Sequence, residues 1–180
     1  MKHRHRGKTS ESFINKDIIL QELTILPGET ILDAGCGNGY MSKEFSRVLN
    51  NTGKVYALDP DGEAIEKLKE ETKGTNIEAI EADITKETPI EESSIDLIYL
   101  STVIHGFQKD QIANFQKEVK RLLKPNGRLA IVEIQKQKTP FGPPLGFRFS
   151  PEELKQTINL TPKSLVLVGQ YFYMQIFENK

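Results

Sequence analysis

Short apolar runs alternate along this chain with longer stretches whose apolar positions recur every three or four residues. That is the pattern of strands interleaved with helices. The runs at 30–33, 54–59, 76–83, 94–100 and 128–134 read as strands. Between them lie helical stretches. Residues 13–26 place Ile14, Ile18, Ile19 and Leu23 on one face, and 40–49 do the same with Met41, Phe45, Val48 and Leu49. A helix running to about Thr72 turns Ala64, Ile65 and Leu68 inward, and 110–123 carries Ile112, Phe115, Val119, Leu122 and Leu123. Pro27-Gly28, Asn51–Gly53 and Lys124-Pro-Asn-Gly127 punctuate the pattern. Ser150-Pro-Glu-Glu153 is a capping box with proline at the first helical position, so a short helix starts there and ends near Leu160. Two further strands, 165–168 and 171–177, flank a Gly169-Gln170 turn. Strands alternating with helices predict an α/β fold, a doubly wound and mostly parallel sheet between two helical layers, a three-layer α-β-α sandwich.

Two segments fall outside this alternation. Residues 1–12 read as a flexible basic arm, in which His3 and His5 are solvated rather than metal ligands. Residues 135–149 begin polar and then collect Pro140, Phe141, Pro143, Pro144, Phe147 and Phe149. A connection of that length and composition predicts an ordered lid.

Composition narrows the function classes. A chain of 180 residues with 37% hydrophobic and 27% charged content suits a single domain, covering 13–180. A net charge of −1 gives no general attraction to nucleic acid or to an anionic membrane. Cys36 is the only cysteine, which excludes an internal disulfide and suits a reducing, cytoplasmic setting. The basic start is followed by Thr9-Ser10-Glu11-Ser12, where a signal peptide would need an apolar run. No apolar stretch approaches the ~18 residues of a membrane span.

The chemistry concentrates after the first strand, in Asp33-Ala-Gly-Cys-Gly-Asn-Gly39. Glycines at 35, 37 and 39 let the backbone turn tightly and let a ligand press on bare main chain. The dinucleotide fingerprint requires Gly or Ala where this chain has Tyr40, so that ligand class is disfavoured. The second strand ends in Asp59, 24 residues after Gly35, and no arginine follows to take a 2′-phosphate. The third ends in Asp83. Acids at the ends of neighbouring parallel strands line the edge where such sheets bind ligands.

This constellation resembles motif I and the following acids of the class I S-adenosylmethionine (AdoMet) methyltransferases, and Leu-Lys-Pro-Asn-Gly-Arg-Leu129 is similar to that family's lead into its fifth strand. The resemblance spans about 13–178 and implies a seven-stranded sheet whose last strand is antiparallel. It also implies AdoMet as cofactor. Asp33 would order the loop, and Gly35, Cys36, Gly37 and Gly39 would hold the methionine end. Asp59, with Pro60 beside it, would accept from the ribose hydroxyls. Asp83 would accept from the adenine amino group while the Ile84 N–H donates to the ring. The backbone at Ser101 would meet the methionine ammonium.

Methyl transfer from a sulfonium is an in-line displacement, so the protein must mainly align the reactants and exclude water. His105, past the fourth strand, is the candidate catalytic base, and packing beneath the lid is its alternative. Tyr171, Tyr173 and Arg148 are further groups within reach of such a site. Cys36 suits small-residue packing in the turn rather than nucleophilic work. The slot after the fourth strand reads Ser-Thr-Val-Ile, not the Asn/Asp-Pro-Pro-aromatic run of enzymes that methylate exocyclic base amines. No spare cysteine serves pyrimidine C5 chemistry or arsenite methylation. With no inserted domain to grip RNA or a protein tail, a small-molecule acceptor is expected, and the chain resembles the small-molecule branch that includes the quinone and arsenite methyltransferases. No metal is expected, and the sequence does not give an oligomeric state. The rivals are a nicotinamide-dependent oxidoreductase, a silent binding subunit, and an RNA or protein methyltransferase working through a partner.

Overall fold

A computed structural model describes residues 10–180. The seven strands are β1 (Thr30–Ala34), β2 (Lys54–Asp59), β3 (Ile77–Glu81), β4 (Ile95–Ser101), β5 (Leu123–Ile134), β6 (Thr161–Leu167) and β7 (Phe172–Glu178). They form one sheet in the order β3-β2-β1-β4-β5-β7-β6. β3, β2, β1, β4 and β5 pair in parallel, with Ile31 between Val55 and Leu97. β7 runs antiparallel to both β5 and β6. The strand order reverses between β1 and β4, and this switch point opens the crevice at the carboxyl ends of the strands.

Helices cover both faces. α1 (Lys16–Leu23), α2 (Tyr40–Leu49) and α3 (Gly62–Glu71) lie on one side, and α4 (Lys109–Leu122) and α5 (Pro151–Thr157) on the other. Alternation along the strands builds two cores at once. Ile31, Leu97, Tyr99, Val132 and Met174 pack with Ile19, Leu23 and Phe45. Leu32, Ile98, Leu100, Ile131 and Tyr173 pack with Phe115, Val119 and Leu154. Ile65 and Leu68 of α3 close over Ala57 and Ala79. Strands buried on both faces read as continuous apolar runs, which is why they stand out in the sequence.

Boundaries shift in places. The first helix is split: a 3-10 turn at Ser10–Phe13 precedes α1, which begins behind the Asn15 cap. That turn starts inside the stretch read as an arm; the rest of the arm, with His3 and His5, lies outside the described residues. β5 starts earlier than expected, because Leu123 already pairs with Ile95 before the ladder shifts and resumes at Arg128–Leu97. Pro125 has no N–H to give, and Asn126 at φ 63° lets the chain bulge there without leaving the sheet. β3 stops at Glu81, so Asp83 sits two residues beyond the strand.

Candidate functional site

The glycine turn after β1 folds onto the end of β2. The N–H groups of Gly35 and Cys36 both donate to the Leu58 carbonyl, at 2.7 and 3.0 Å. The Gly37 N–H donates to Asp59 Oδ2 at 2.9 Å, and the Asp61 N–H to Asp59 Oδ1 at 2.9 Å. All three turn glycines have positive φ, yet their surroundings differ. A Cβ on Gly35 would lie 2.7 Å from Val103 Cγ2, and one on Gly39 would overlap the Leu68 side chain. At Gly37 a Cβ would meet nothing within 4 Å. Gly35 and Gly39 are therefore small so that the loop after β4 and helix α3 can close in. Gly37 is the position where bare backbone faces open space.

Asp33 is 3% exposed and accepts a 2.6 Å hydrogen bond from Ser42 Oγ of α2. It ties the strand to the helix that the turn introduces. Burial pushes its carboxyl up to about 7, against the pull of the Ser42 bonds. Cys36 is buried in the turn, and burial raises its thiol, so its nucleophilic form is suppressed. Pro60 is exposed beside Asp59. Asp83 turns back on its own loop: its Oδ1 accepts from the Thr85 N–H at 2.9 Å and from Thr85 Oγ1 at 2.7 Å. Ile84 is buried. Asp59 is only 1% exposed with both oxygens engaged, so in this structure it first serves to hold the turn.

Beyond Ser101, at the end of β4, Thr102 takes φ 57°, an uncommon conformation for a β-branched residue. Its N–H is held by the Val132 carbonyl at 2.8 Å. That sharp corner carries Val103 against Gly35 and leads into a 3-10 turn at Ile104–Gly106 that presents His105. His105 Nδ1 lies 2.9 and 3.1 Å from the two carboxyl oxygens of Glu133, a residue with no exposed surface. Burial lowers the His105 pKa, while the bond to Glu133 and its charge raise it, and the net direction is up. Glu133 also faces its cross-strand neighbour Tyr173, whose hydroxyl donates to the Phe149 carbonyl at 2.9 Å.

Arg148, which the sequence suggests as a group near the acceptor, spends its guanidinium on the loop itself. It donates to the carbonyls of Pro143, Gln135, Gln137 and Phe141 at 2.7–3.1 Å and is 5% exposed. Segment 135–149 is thereby wrapped around one buried cation. Its Phe141 ring lies tilted against Phe13, centroids 4.4 Å apart, and meets Tyr171 edge-on at 5.6 Å. Tyr171 thus joins an aromatic seam, and Tyr173 caps the chain end of the loop. Two surface grooves flank this segment, lined by residues such as Lys136, Phe147 and Glu153, and none of their residues belongs to the expected cofactor set.

Sequence reasoning missed three participants. Glu133 had a signal: an acid inside the apolar run Leu129–Ile134 is almost always paired. Ser42 and Thr102 had none, because a hydroxyl on a helix and a residue with positive φ leave no pattern in the chain. Among the described residues no cluster of histidine, cysteine and acids suits a metal ion. Among them, too, no helix is long and apolar enough to cross a membrane.

Comparison with known proteins adds a family model, described as a methyltransferase domain, that matches residues 31–127. The structure of a SAM dependent methyltransferase from Aquifex aeolicus is 25% identical, covers 95% of this chain and 93% of its own, and superposes with a TM-score of 0.85. The ubiquinone/menaquinone biosynthesis C-methyltransferase UbiE of Hahella chejuensis is 28% identical over 69% of this chain and 51% of its own length. The 2-phytyl-1,4-naphtoquinone methyltransferase of Trichormus variabilis is 27% identical over 67% of this chain and 53% of its own. The chain spans about half the length of these two relatives.

Proposed function

The chain belongs to the methyltransferase domain family, and from that premise we propose that it transfers a methyl group from AdoMet to a small-molecule acceptor. The observation that carries this reading is Gly37, whose bare backbone faces open space beside the Asp59 carboxylate at the switch point of the sheet. The residues fit the cofactor. A side chain at position 37 would project into that open space, and the neighbouring acids suit a donor that carries positive charge.

When bound, AdoMet supplies a methyl group on a positively charged sulfur, a leaving group that needs no further activation. The chain's own residues do the rest. Asp59 uses two of its roughly four acceptor sites on Gly37 and Asp61, and the remaining ones suit the ribose hydroxyls. Asp83 and Ile84 would flank the adenine, with Asp83 Oδ2, which Thr85 leaves unused and Lys86 Nζ approaches only to 4.0 Å, as the acceptor. The backbone at Ser101 and the turn 35–39 hold the methionine end. Asp33 anchors that turn through Ser42. Segment 135–149 acts as a lid that sheds water from the acceptor side. Such alignment lowers a barrier by several kcal/mol, up to roughly 7–11 in the best intramolecular cases.

Two relatives named for quinone substrates support a small-molecule acceptor, and single, turn-bound Cys36 suits a cytoplasmic setting. The test is to incubate the purified protein with methyl-labelled AdoMet and a cell extract. Label in a small organic product is the expected result. Label in RNA or protein overturns the acceptor class. A melting temperature raised by NADH but by neither AdoMet nor its demethylated product, AdoHcy, overturns the cofactor.

A further inference from the structure

The most buried charged group on the acceptor side is Glu133. It has no exposed surface, yet it sits on β5 among Leu129, Ile131 and Tyr173, where an apolar residue would pack without cost. A carboxyl is kept in such a place only with donors. The Ile134 N–H supplies one at 3.3 Å, and His105 Nδ1 the other, within reach of both oxygens. A carboxylate is acceptor-only, so the shared proton belongs to Nδ1. In the neutral imidazole that fixes the tautomer and leaves Nε2 as the unprotonated nitrogen, for which no partner exists among the described residues. The His105 side chain keeps 23% of its surface exposed.

We propose that Glu133 is a positioning residue that holds His105 with Nε2 bare, so that His105 takes the proton lost by the attacking atom of the acceptor. The inference rests on the methyltransferase reading above. As the acceptor atom bonds to the methyl carbon, the carbon–sulfur bond breaks and its electron pair stays on sulfur. Nε2 receives the acceptor's proton and later releases it to solvent, which returns the imidazole to its starting state. The buried carboxylate stabilises the imidazolium formed in between. The charged and titratable groups around this pair are Glu133 itself from β5, Arg148 from the following loop and Tyr173 from β7. Arg148 acts to lower the His105 pKa, against Glu133. The Tyr173 hydroxyl is already given to the Phe149 carbonyl and is held protonated by burial.

The test is histidine-selective ¹⁵N NMR on the full chain, with the His105 signals assigned by their loss in His105→Gln. The wild-type protein should show the Nδ1–H tautomer at high pH and a titration midpoint above the ordinary ~6.5. In Glu133→Gln the midpoint should fall and the tautomer preference should weaken. An Nε2–H tautomer in the wild type overturns the proposal without any change at Glu133, which covers the case of Glu133→Gln failing to fold. So does an unchanged midpoint and tautomer in a folded Glu133→Gln. Calorimetry with AdoHcy separates this from the broader reading. Equal affinity in wild type and Glu133→Gln is expected here. A wild-type protein that does not bind AdoHcy sinks the methyltransferase reading while leaving the NMR result to stand on its own.

Discussion

Asp59→Ala removes one side chain with two separable consequences. In the structure its oxygens accept from the amides of Gly37 and Asp61, each at 2.9 Å, in a residue 1% exposed. Each stranded buried amide costs roughly 1–3 kcal/mol. The variant should therefore lose about 2–6 kcal/mol, a large share of the ~5–15 kcal/mol of an ordinary domain. If the same carboxylate also receives the ribose hydroxyls, AdoHcy binding weakens by a further roughly 1–3 kcal/mol, about 5- to 150-fold in Kd. Urea unfolding followed by circular dichroism reads the first effect. Calorimetric titration with AdoHcy, at a temperature where the variant is folded, reads the second. Asp59→Asn refines the measurement, since its amide nitrogen must face one of the two N–H donors. A stability loss with unchanged affinity would assign Asp59 to the turn alone and refute the ribose role. Unchanged stability would refute the hydrogen-bond accounting itself.

Asp33 makes stability fall with pH. Its folded pKa, about 7 against an ordinary 3.8, means that the native state holds a proton the unfolded chain has released, so rising pH between about 4 and 7 costs stability. The gap of about 3 units sets a ceiling on the order of 4 kcal/mol. Asp33→Asn, neutral throughout, should gain stability relative to the wild type across that window, and parallel stability–pH curves would refute this. His105→Ala should leave the AdoHcy Kd within about two-fold and lower turnover by roughly 10²–10⁴ on the acceptor identified by labelling; equal loss of both would put His105 in packing. Arg148→Met keeps the aliphatic stem but abandons four carbonyls, at a cost of about 2–4 kcal/mol. Hydrogen exchange across 135–149 should rise at least about ten-fold while the glycine turn keeps its protection, and uniform loosening of both would show that the loop is not an independent unit.

The fold was legible because its strands are buried on both faces and its turns are made by residue types with few other uses. Strand β1, the turn at Gly35–Gly39 and the capping box at Ser150 and Glu153 each carry a local signature, and each stands where expected. The bulge before Arg128 was not legible: Pro125-Asn-Gly127 announces a bend but not that Leu123 still pairs with Ile95 across it. The cofactor edge was legible as residue types only. Sequence gives three acids at strand ends; it does not say that Asp59 is spoken for by two amides, or that Asp83 turns onto Thr85. Hydrogen-bond partners are a property of the closed structure, and any of these acids has the same local context in either role.

The acceptor side shows the same limit more sharply, and for a physical reason. A cofactor gripped by main chain needs glycines at fixed spacing, and spacing survives in the sequence. An acceptor gripped by side chains needs only that distant residues meet. His105 and Glu133 stand 28 positions apart and touch because β4 and β5 are neighbours in register, with Ser101 opposite Val132. Val103 reaches Gly35 from the far side of the same switch point. The glycine turn and the loop after β4 are therefore in direct contact, the one shaped by the absence of a Cβ and the other by the strained corner at Thr102. A change in either must be felt by the other.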